Sequence, residues 1–379
     1  MKGDFVLLGT VAAAMLAIPA AAMLWAGQPL VGVAAPPESG VSQVVGAPSS
    51  GTGTQKPSTG LGASNSASSR SQAQSGSQTG APEVKAAYKT DITAFKIKDE
   101  TTGDINVVPV EEYVLYAMAS EMPAEFHMEA LKAQGVAALS YAMYRTELQR
   151  SSPDPALGGA DFSADPQNRK VYMTEEGARE FYGDQFEYSW ARLTEAAQAV
   201  RDLVLGYEDQ PIAAAYHAIS SGLTEASENI WGSPLPYLTT SDSQWDILAP
   251  GYKSTATYTK EEMRALLTGA GATLPHEAAR WITVLERSPA GYVTKVQVGD
   301  QEMTGSQLRF LLDLRSSDFE MIPSGDNFVF EIKGYGHGAG LSQNGADYLG
   351  RQGKTFQQIL AHYYAGATLA RLENVGGAP

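Results

Sequence analysis

Residues 28–82 are built mainly from Ser, Gly, Ala, Gln, Thr and Pro, with only Glu38, Lys56 and Arg70 charged. Such a stretch holds too few large apolar groups to offset the entropy of ordering it, so it predicts a disordered linker and confines folding to the residues beyond it. A flexible chain of this composition reaches on the order of 40 Å. Ahead of it, residues 5–26 run without a charge, interrupted by Gly9, Thr10 and Pro19, long enough to cross a hydrocarbon layer about 30 Å thick as one helix. Lys2 precedes the run and no positive charge closely follows it. The positive-inside rule then places the N-terminus in the cytoplasm and the rest outside, as in a single-pass protein of the cell membrane. A cleaved signal peptide is the competing reading, with Ala20-Ala21-Ala22 as its small-residue cleavage site, but the run continues through Met23-Leu24-Trp25, beyond a usual signal-peptide core. Both readings export the rest. The expected plan is an anchor over 1–27, a linker over 28–86 and one folded domain over 87–379.

The formal net charge of −15 argues against a nucleic-acid partner, whose phosphates require a basic face. The chain has no cysteine, which excludes disulfides, thiol catalysis and cysteine-containing zinc sites. Within 87–379 the apolar period switches between two and 3.6. Residues 92–98 and 105–108 read as strands; Pro109 opens a helix with Glu111 and Glu112 in its first turn that ends near Met122, before Pro123. Residues 124–145 read as a second helix with Leu131, Ala138 and Ala142 on one face. Further helices are expected over 174–182, 191–201, 341–350 and 356–364. Residues 203–207 and 212–216 read as a hairpin, and 282–287, 292–298 and 327–333 as strands. Without regular βαβ alternation, the pattern predicts an α+β fold with mainly antiparallel strands in one globular domain.

Three segments carry candidate chemistry. Gly334-Tyr335-Gly336-His337-Gly338-Ala339-Gly340-Leu341-Ser342-Gln343-Asn344-Gly345-Ala346 places glycine at every second position up to Gly340, which suits close approach of backbone to a ligand beside one imidazole, a hydroxyl and an amide. Tyr216-His217-Ala218-Ile219-Ser220-Ser221-Gly222-Leu223-Thr224-Glu225, with Trp231-Gly232 and Pro236-Tyr237-Leu238 beyond it, carries hydroxyls and an imidazole into a loop, where they can bond polar ligand groups. Glu121-Met122-Pro123 sits where two predicted helices meet, so that a chain break can turn Glu121 into a cleft. It is followed by Glu129-Ala130-Leu131-Lys132-Ala133-Gln134-Gly135-Val136-Ala137-Ala138.

Taken in order, with Ile359-Leu360-Ala361-His362-Tyr363-Tyr364-Ala365-Gly366, these segments resemble the blocks of the stage II sporulation protein D family from about Val107 to Leu372. The resemblance implies a membrane-anchored lytic transglycosylase that cuts peptidoglycan glycan strands, preferably denuded of stem peptides. It would act in sporulation, at engulfment, beside an amidase that strips those peptides, and without a cofactor. Glu121 aligns with the family's catalytic acid. It would protonate the leaving oxygen while the substrate's own C6 hydroxyl attacks C1 to close a 1,6-anhydro ring, so that one acid serves twice. His217, Ser220, Ser221, Thr224, Tyr335, His337, Ser342 and Gln343 are expected to bind substrate, together with Lys132 and Gln134 on the helix after Glu121. Glu125 and Glu225 are candidate second carboxylates for a hydrolytic variant, and His362 reads as structural.

The sequence departs from the family pattern in two places. Leu139-Ser140 stands where many members have Arg-Thr. Some members hold zinc in the segment corresponding to 161–172, where Ser163, Gln167, Asn168 and Arg169 are poor ligands, so no metal is expected. These departures keep a second reading open, a non-catalytic wall-binding protein that stimulates or tethers an amidase. A metal-dependent hydrolase using His217, His337 and His362 is disfavoured, because no compact pair such as H-x-x-x-H is present.

Overall fold

A computed structural model describes residues 84 and 86–375; the apolar run 5–26 and the linker 28–82 lie outside the described residues. The fold opens with strands β1 (Ala86–Thr90), β2 (Ala94–Asp99) and β3 (Ile105–Pro109). In β2, Phe95 and Ile97 are fully buried while Lys96 between them is exposed, the alternation a one-sided strand requires. Pro109, at φ −55°, starts helix α1 (Val110–Glu121), and Glu111 and Glu112 fall in its first turn, at the positive end of its dipole.

Helix α2 (Met128–Ser151) is the central element, packed by α1 and by later helices and strands. The sequence predicts it from residue 124, but it begins at Met128. Residues 124–127 form a turn, because Pro123 interrupts the helix and His127 Nδ1 accepts the Glu129 N–H as an N-terminal cap. Glu125, a candidate second carboxylate, therefore stands exposed on this turn.

Next come β4 (Phe162–Ala164), α3 (Glu175–Tyr182), α4 (Phe186–Val200), β5 (Leu203–Tyr207), β6 (Gln210–Pro211), β7 (Tyr216–His217) and α5 (Ser227–Trp231). Glu208 and Asp209 both adopt positive φ between β5 and β6, as a two-residue hairpin turn demands. The partner of β5, expected over 212–216, is β6 instead; the Ile212 N–H still donates to the Leu205 carbonyl at 3.1 Å, but the Ala214 and Ala215 N–H groups turn to the nearby Ile212 and Ala213 carbonyls, which ends the pairing with β5. Tyr216 and His217 pair in parallel with Leu341 and Ser342 instead.

A second hydrophobic core is inserted here, comprising β8 (Lys253–Thr259), α6 (Lys260–Gly269), β9 (Ile282–Arg287), β10 (Val293–Val298), β11 (Gln301–Thr304), α7 (Gly305–Leu311), β12 (Asp318–Ser324) and β13 (Asn327–Lys333). Met263, Leu267, Trp281, Val296, Leu308, Phe319 and Phe330 fill it. The insertion leaves where it entered: Lys253 lies opposite Lys333, and the Gly334 N–H donates to the Tyr252 carbonyl at 2.8 Å. The chain then returns to the first core through β14 (Leu341–Ser342), α8 (Gln343–Arg351), α9 (Phe356–Tyr363) and β15 (Thr368–Asn374).

The sheets run in the orders β1-β15-β5-β6, β3-β2-β4, β12-β13-β8 and β11-β10-β9, with β7-β14 as a separate pair. Most pairings are antiparallel, while β1 with β15, β2 with β4 and β7 with β14 are parallel. The protein is therefore α+β. Residues 341–342, expected to begin a helix, are strand, and Ser342 caps α8 by accepting the Gly345 N–H. Among the described residues no helix is long and apolar enough to cross a membrane.

Candidate active site

Glu121 is the last residue of α1, and Met122 turns the chain into extended conformation immediately after it. A carboxylate here faces the negative end of the helix dipole, an unfavourable position for charge. Part of the residue's surface is open to solvent, as on the wall of a cleft, while its carboxyl group is enveloped by protein. That burial raises its pKa from 4.5 to about 7, against a hydrogen bond from Tyr216 that pulls it down. Tyr113, Tyr141 and Tyr364 lie around Tyr216, and burial pushes all four phenols upward, so Tyr216 is a neutral donor. The setting thus keeps a carboxylic acid substantially protonated near neutrality.

Tyr216 also joins Glu121 to the glycine loop. His217, next in β7, has its Nδ1 3.0 Å from the Ala339 carbonyl, which can only accept, so Nδ1 carries the hydrogen. Nε2 is left as a buried acceptor without a partner. In His337 the roles are reversed: Nδ1 accepts the Ala339 N–H at 3.1 Å and the ring bonds the backbone of Tyr216. The two rings lie 5.8 Å apart, and Trp231 lies 5.4 Å from His337. Burial depresses His217 to about 4, and burial with the neighbouring His217 and Arg309 depresses His337 to about 3. Both imidazoles are neutral at pH 7, so neither can replace Glu121 as the acid.

The alternating glycines serve the protein's own packing more than a ligand's approach. A Cβ on Gly336 (φ +115°) would stand 2.7 Å from His217 Cβ, and one on Gly340 (φ +69°) 2.0 Å from the Ala215 carbonyl oxygen. The loop can therefore lie flush on the strand that carries Tyr216 and His217.

The Ser342 hydroxyl and the backbone N–H of Ser220 are instead committed to a residue that carries no local sequence signal. Buried Asp246 Oδ2 accepts the Ser220 N–H at 2.7 Å and the Ser342 hydroxyl at 2.6 Å. Burial raises its pKa, against the bonds from Ser342 and Ser220 that lower it, and its Oδ1 has no partner. Ser220 Oγ further accepts the Gly222 N–H. Thr224 is fully buried, its hydroxyl accepting the Ser241 N–H at 2.8 Å. These three residues hold the loops. Ser221 is half-buried, with its N–H on the Tyr292 hydroxyl, and Tyr335 is exposed beneath the Arg315 guanidinium.

Gln343 and Gln134 meet side chain to side chain at 3.4 Å, both buried, with Gln134 Nε2 unpartnered. Lys132 pairs with Glu129 at 2.7 Å, and Glu129 also accepts the Phe356 N–H of α9. The Lys132 charge is thus engaged with Glu129 and not with Glu121. Glu225 is buried, with Oε1 bonded to the Ala226 N–H and to Asn229. His362 bonds the Asp242 carbonyl and lies 5.7 Å from Trp245. Leu139 is a core residue, and Ser140 bonds Val136 and the Leu205 N–H, so this pair faces the interior. In the 161–172 segment Ser163 and Lys170 both bond Glu100, and Asn168 bonds Asp165. Among the described residues no group of three or more His, Asp or Glu is placed to hold a metal ion.

An α+β fold with a carboxylic acid held near pH 7, and two neutral imidazoles on β7 and the glycine loop that packs on it, defines a protein with a candidate general-acid site. Over residues 98–207 the chain matches the family model SpoIID, described as stage II sporulation protein. It is 34% identical over 268 residues to stage II sporulation protein D of Bacillus amyloliquefaciens, across 70% of this chain and 76% of that protein. To the protein of the same name from Bacillus subtilis it is 32% identical over 294 residues, across 78% of this chain and 82% of that protein. A more distant relative, the amidase enhancer of Bacillus subtilis, is 25% identical over 304 residues, across 66% of this chain and 39% of that protein. The chain belongs to the stage II sporulation protein D family.

Proposed function

We propose that the protein is a lytic transglycosylase that cuts peptidoglycan glycan strands to 1,6-anhydromuramyl ends, with Glu121 as its acid and base. The observation that carries this reading is the Glu121 carboxyl, held near pH 7 by burial and bonded by Tyr216. An acid poised near the working pH both gives and takes a proton readily. In the first half of the reaction Glu121 passes its proton to the oxygen leaving C1, and the C1–oxygen bond breaks. The substrate's C6 hydroxyl then closes on C1, and its proton returns to Glu121, so no water enters and the acid is restored. One acid serving twice supports this route over hydrolysis, which calls for a second carboxylate; Asp246, whose carboxyl burial also raises, is tied to the Ser220 N–H and the Ser342 hydroxyl. Glu225, the other candidate, has Oε1 committed to Ala226 and Asn229 and Oε2 buried without a partner. The buried lone pair of His217 Nε2 supplies an acceptor for a substrate hydroxyl.

We infer further that residues 5–26 anchor the protein in the cell membrane with its N-terminus in the cytoplasm, and that the linker to residue 86 lets the domain reach the wall. The family supports a setting in sporulation. The relative named amidase enhancer supports a second reading, a wall-binding protein that stimulates or tethers an amidase without cutting glycan itself.

Digestion of purified glycan strands, with and without stem peptides, followed by mass analysis tests the choice. Anhydro-ended fragments are expected. Reducing ends would mean hydrolysis, and intact strands retained by the protein would favour the second reading.

A further inference from the structure

Two arginines of the inserted core, Arg309 on α7 and Arg315 after it, converge on the glycine loop without a carboxylate partner. The Arg309 Nε–H donates to the Leu314 and Arg315 carbonyls at 3.1 and 3.3 Å, and the Gly336 N–H donates to that same Arg315 carbonyl at 2.8 Å. The Arg309 guanidinium is thereby fixed beside the residue that precedes His337. Its positive charge acts on both His217 and His337, lowering their proton affinity. The Arg315 guanidinium lies 4.1 Å from the Tyr335 ring centre, and its Nε is buried without a partner. Tyr335 is 46% exposed, so this stack borders open solvent. Neither arginine joins an ion pair among the described residues.

The carboxylates around this group are engaged elsewhere or lie at its margin. Asp318 pairs with Arg287 at 3.7 Å, Glu225 bonds Ala226 and Asn229 through Oε1, keeps Oε2 buried without a partner and forms no ion pair, and Asp313, which acts on Arg309, is exposed and beyond ion-pair distance. Burying a cation without a counter-charge is costly, and burial lowers the proton affinity of Arg309. In a chain of net charge −15, Arg309 and Arg315, both set against the glycine loop, form a local positive patch that attracts an anion.

We propose that Arg309 and Arg315, with the Tyr335 ring stacked on Arg315, form a carboxylate-binding subsite beside the His217–His337 pair that takes the free lactyl carboxylate of a muramic acid residue lacking its stem peptide. This rests on the glycan-cleaving reading of the site. A guanidinium binds a carboxylate through two parallel N–H···O bonds. A muramic acid still carrying its peptide presents a neutral amide in place of that anion, and leaves the guanidinium charges unmatched. The exposed Tyr335 ring offers a flat apolar face for a sugar. The structure thus supplies a physical basis for choosing denuded strands.

The test uses the full chain carrying Glu121→Gln, so that bound strands stay uncut. Two probes are compared: denuded glycan strands, and the same strands with their carboxylates converted to methylamides by carbodiimide coupling. Methylamide strands are expected to bind about tenfold more weakly or worse, the scale set by a lost charge-assisted bond. Adding Arg309→Gln or Arg315→Gln should weaken binding of the acid strands by a similar factor while leaving the methylamide strands unchanged. Equal binding of both probes by the chain with both arginines intact would overturn the subsite, whatever the folding of the variants. So would arginine variants that weaken both probes alike. Cleavage by the unsubstituted protein is scored separately. Cutting both strand types equally would sink the subsite and spare the function, whereas discrimination in binding without cutting would do the reverse.

Discussion

Replacing Glu121 by Gln should stabilise the protein at pH 8 and leave its stability nearly unchanged at pH 4.5. The carboxyl has a pKa of 4.5 when free and about 7 in the fold, so the folded state holds its proton over a range where the unfolded chain has lost it. Stability carried by that proton is full below pH 4.5, declines as pH rises, and is gone above about 7. At 1.36 kcal/mol for each tenfold change in proton affinity, the decline amounts to about 3 kcal/mol, an upper figure because part of Glu121 reaches solvent. Gln keeps the shape and accepts the same Tyr216 hydroxyl bond, but has no proton to lose. The variant's melting temperature should therefore exceed the wild type's at pH 8 by up to about 6–12 °C, at roughly 2–4 °C per kcal/mol for a domain of this size. Calorimetry of both proteins at pH 4.5 and 8 reads this difference of differences without reference to activity. The same melting difference at both pH values would show that Glu121 ionises like a surface carboxylate and is not a buried acid.

Tyr216→Phe removes the hydrogen bond that lowers the Glu121 pKa, so the alkaline limb of glycan cleavage should move to higher pH; a limb that stays or moves down would contradict the assignment. Asp246→Ala leaves the Ser220 N–H and the Ser342 hydroxyl without their acceptor, and chemical unfolding should show a loss of about 2–5 kcal/mol. Asp246→Asn keeps one oxygen for both donors, and its loss should be less than half as large. Gly340→Ala forces a Cβ into the Ala215 carbonyl at positive φ and should cost about 2 kcal/mol or more, read from the melting temperature.

Much of the first core was legible because its local signals agree. Pro109 with Glu111 and Glu112 marks the start of α1, and alternation at Phe95 and Ile97 marks β2. The inserted core was half hidden. Strand β8 reads Lys-Ser-Thr-Ala-Thr-Tyr-Thr, with no large aliphatic residue to reveal a buried face, and its pairing with β13 spans residues distant in sequence. Strand β15 also hid, since its place between β1 and β5 depends on both chain ends of the domain. At the site, the three motifs named Glu121, His217 and His337. They could not name Asp246, whose partners lie 26 and 96 residues away, or Arg309, which acts on the histidines from another core. The glycine pattern was visible but its purpose was not, since packing against Ala215 and His217 leaves no trace in the loop's own sequence.

Whether Glu121 is the acid of a glycan-cleaving site is decided by the pH dependence of cleavage of denuded strands by wild type and Glu121→Gln. The wild-type kcat/KM should fall above a midpoint near 7, and the variant should be slower by on the order of 10²- to 10⁴-fold at every pH. A variant that cuts at the wild-type rate would remove Glu121 from the chemistry.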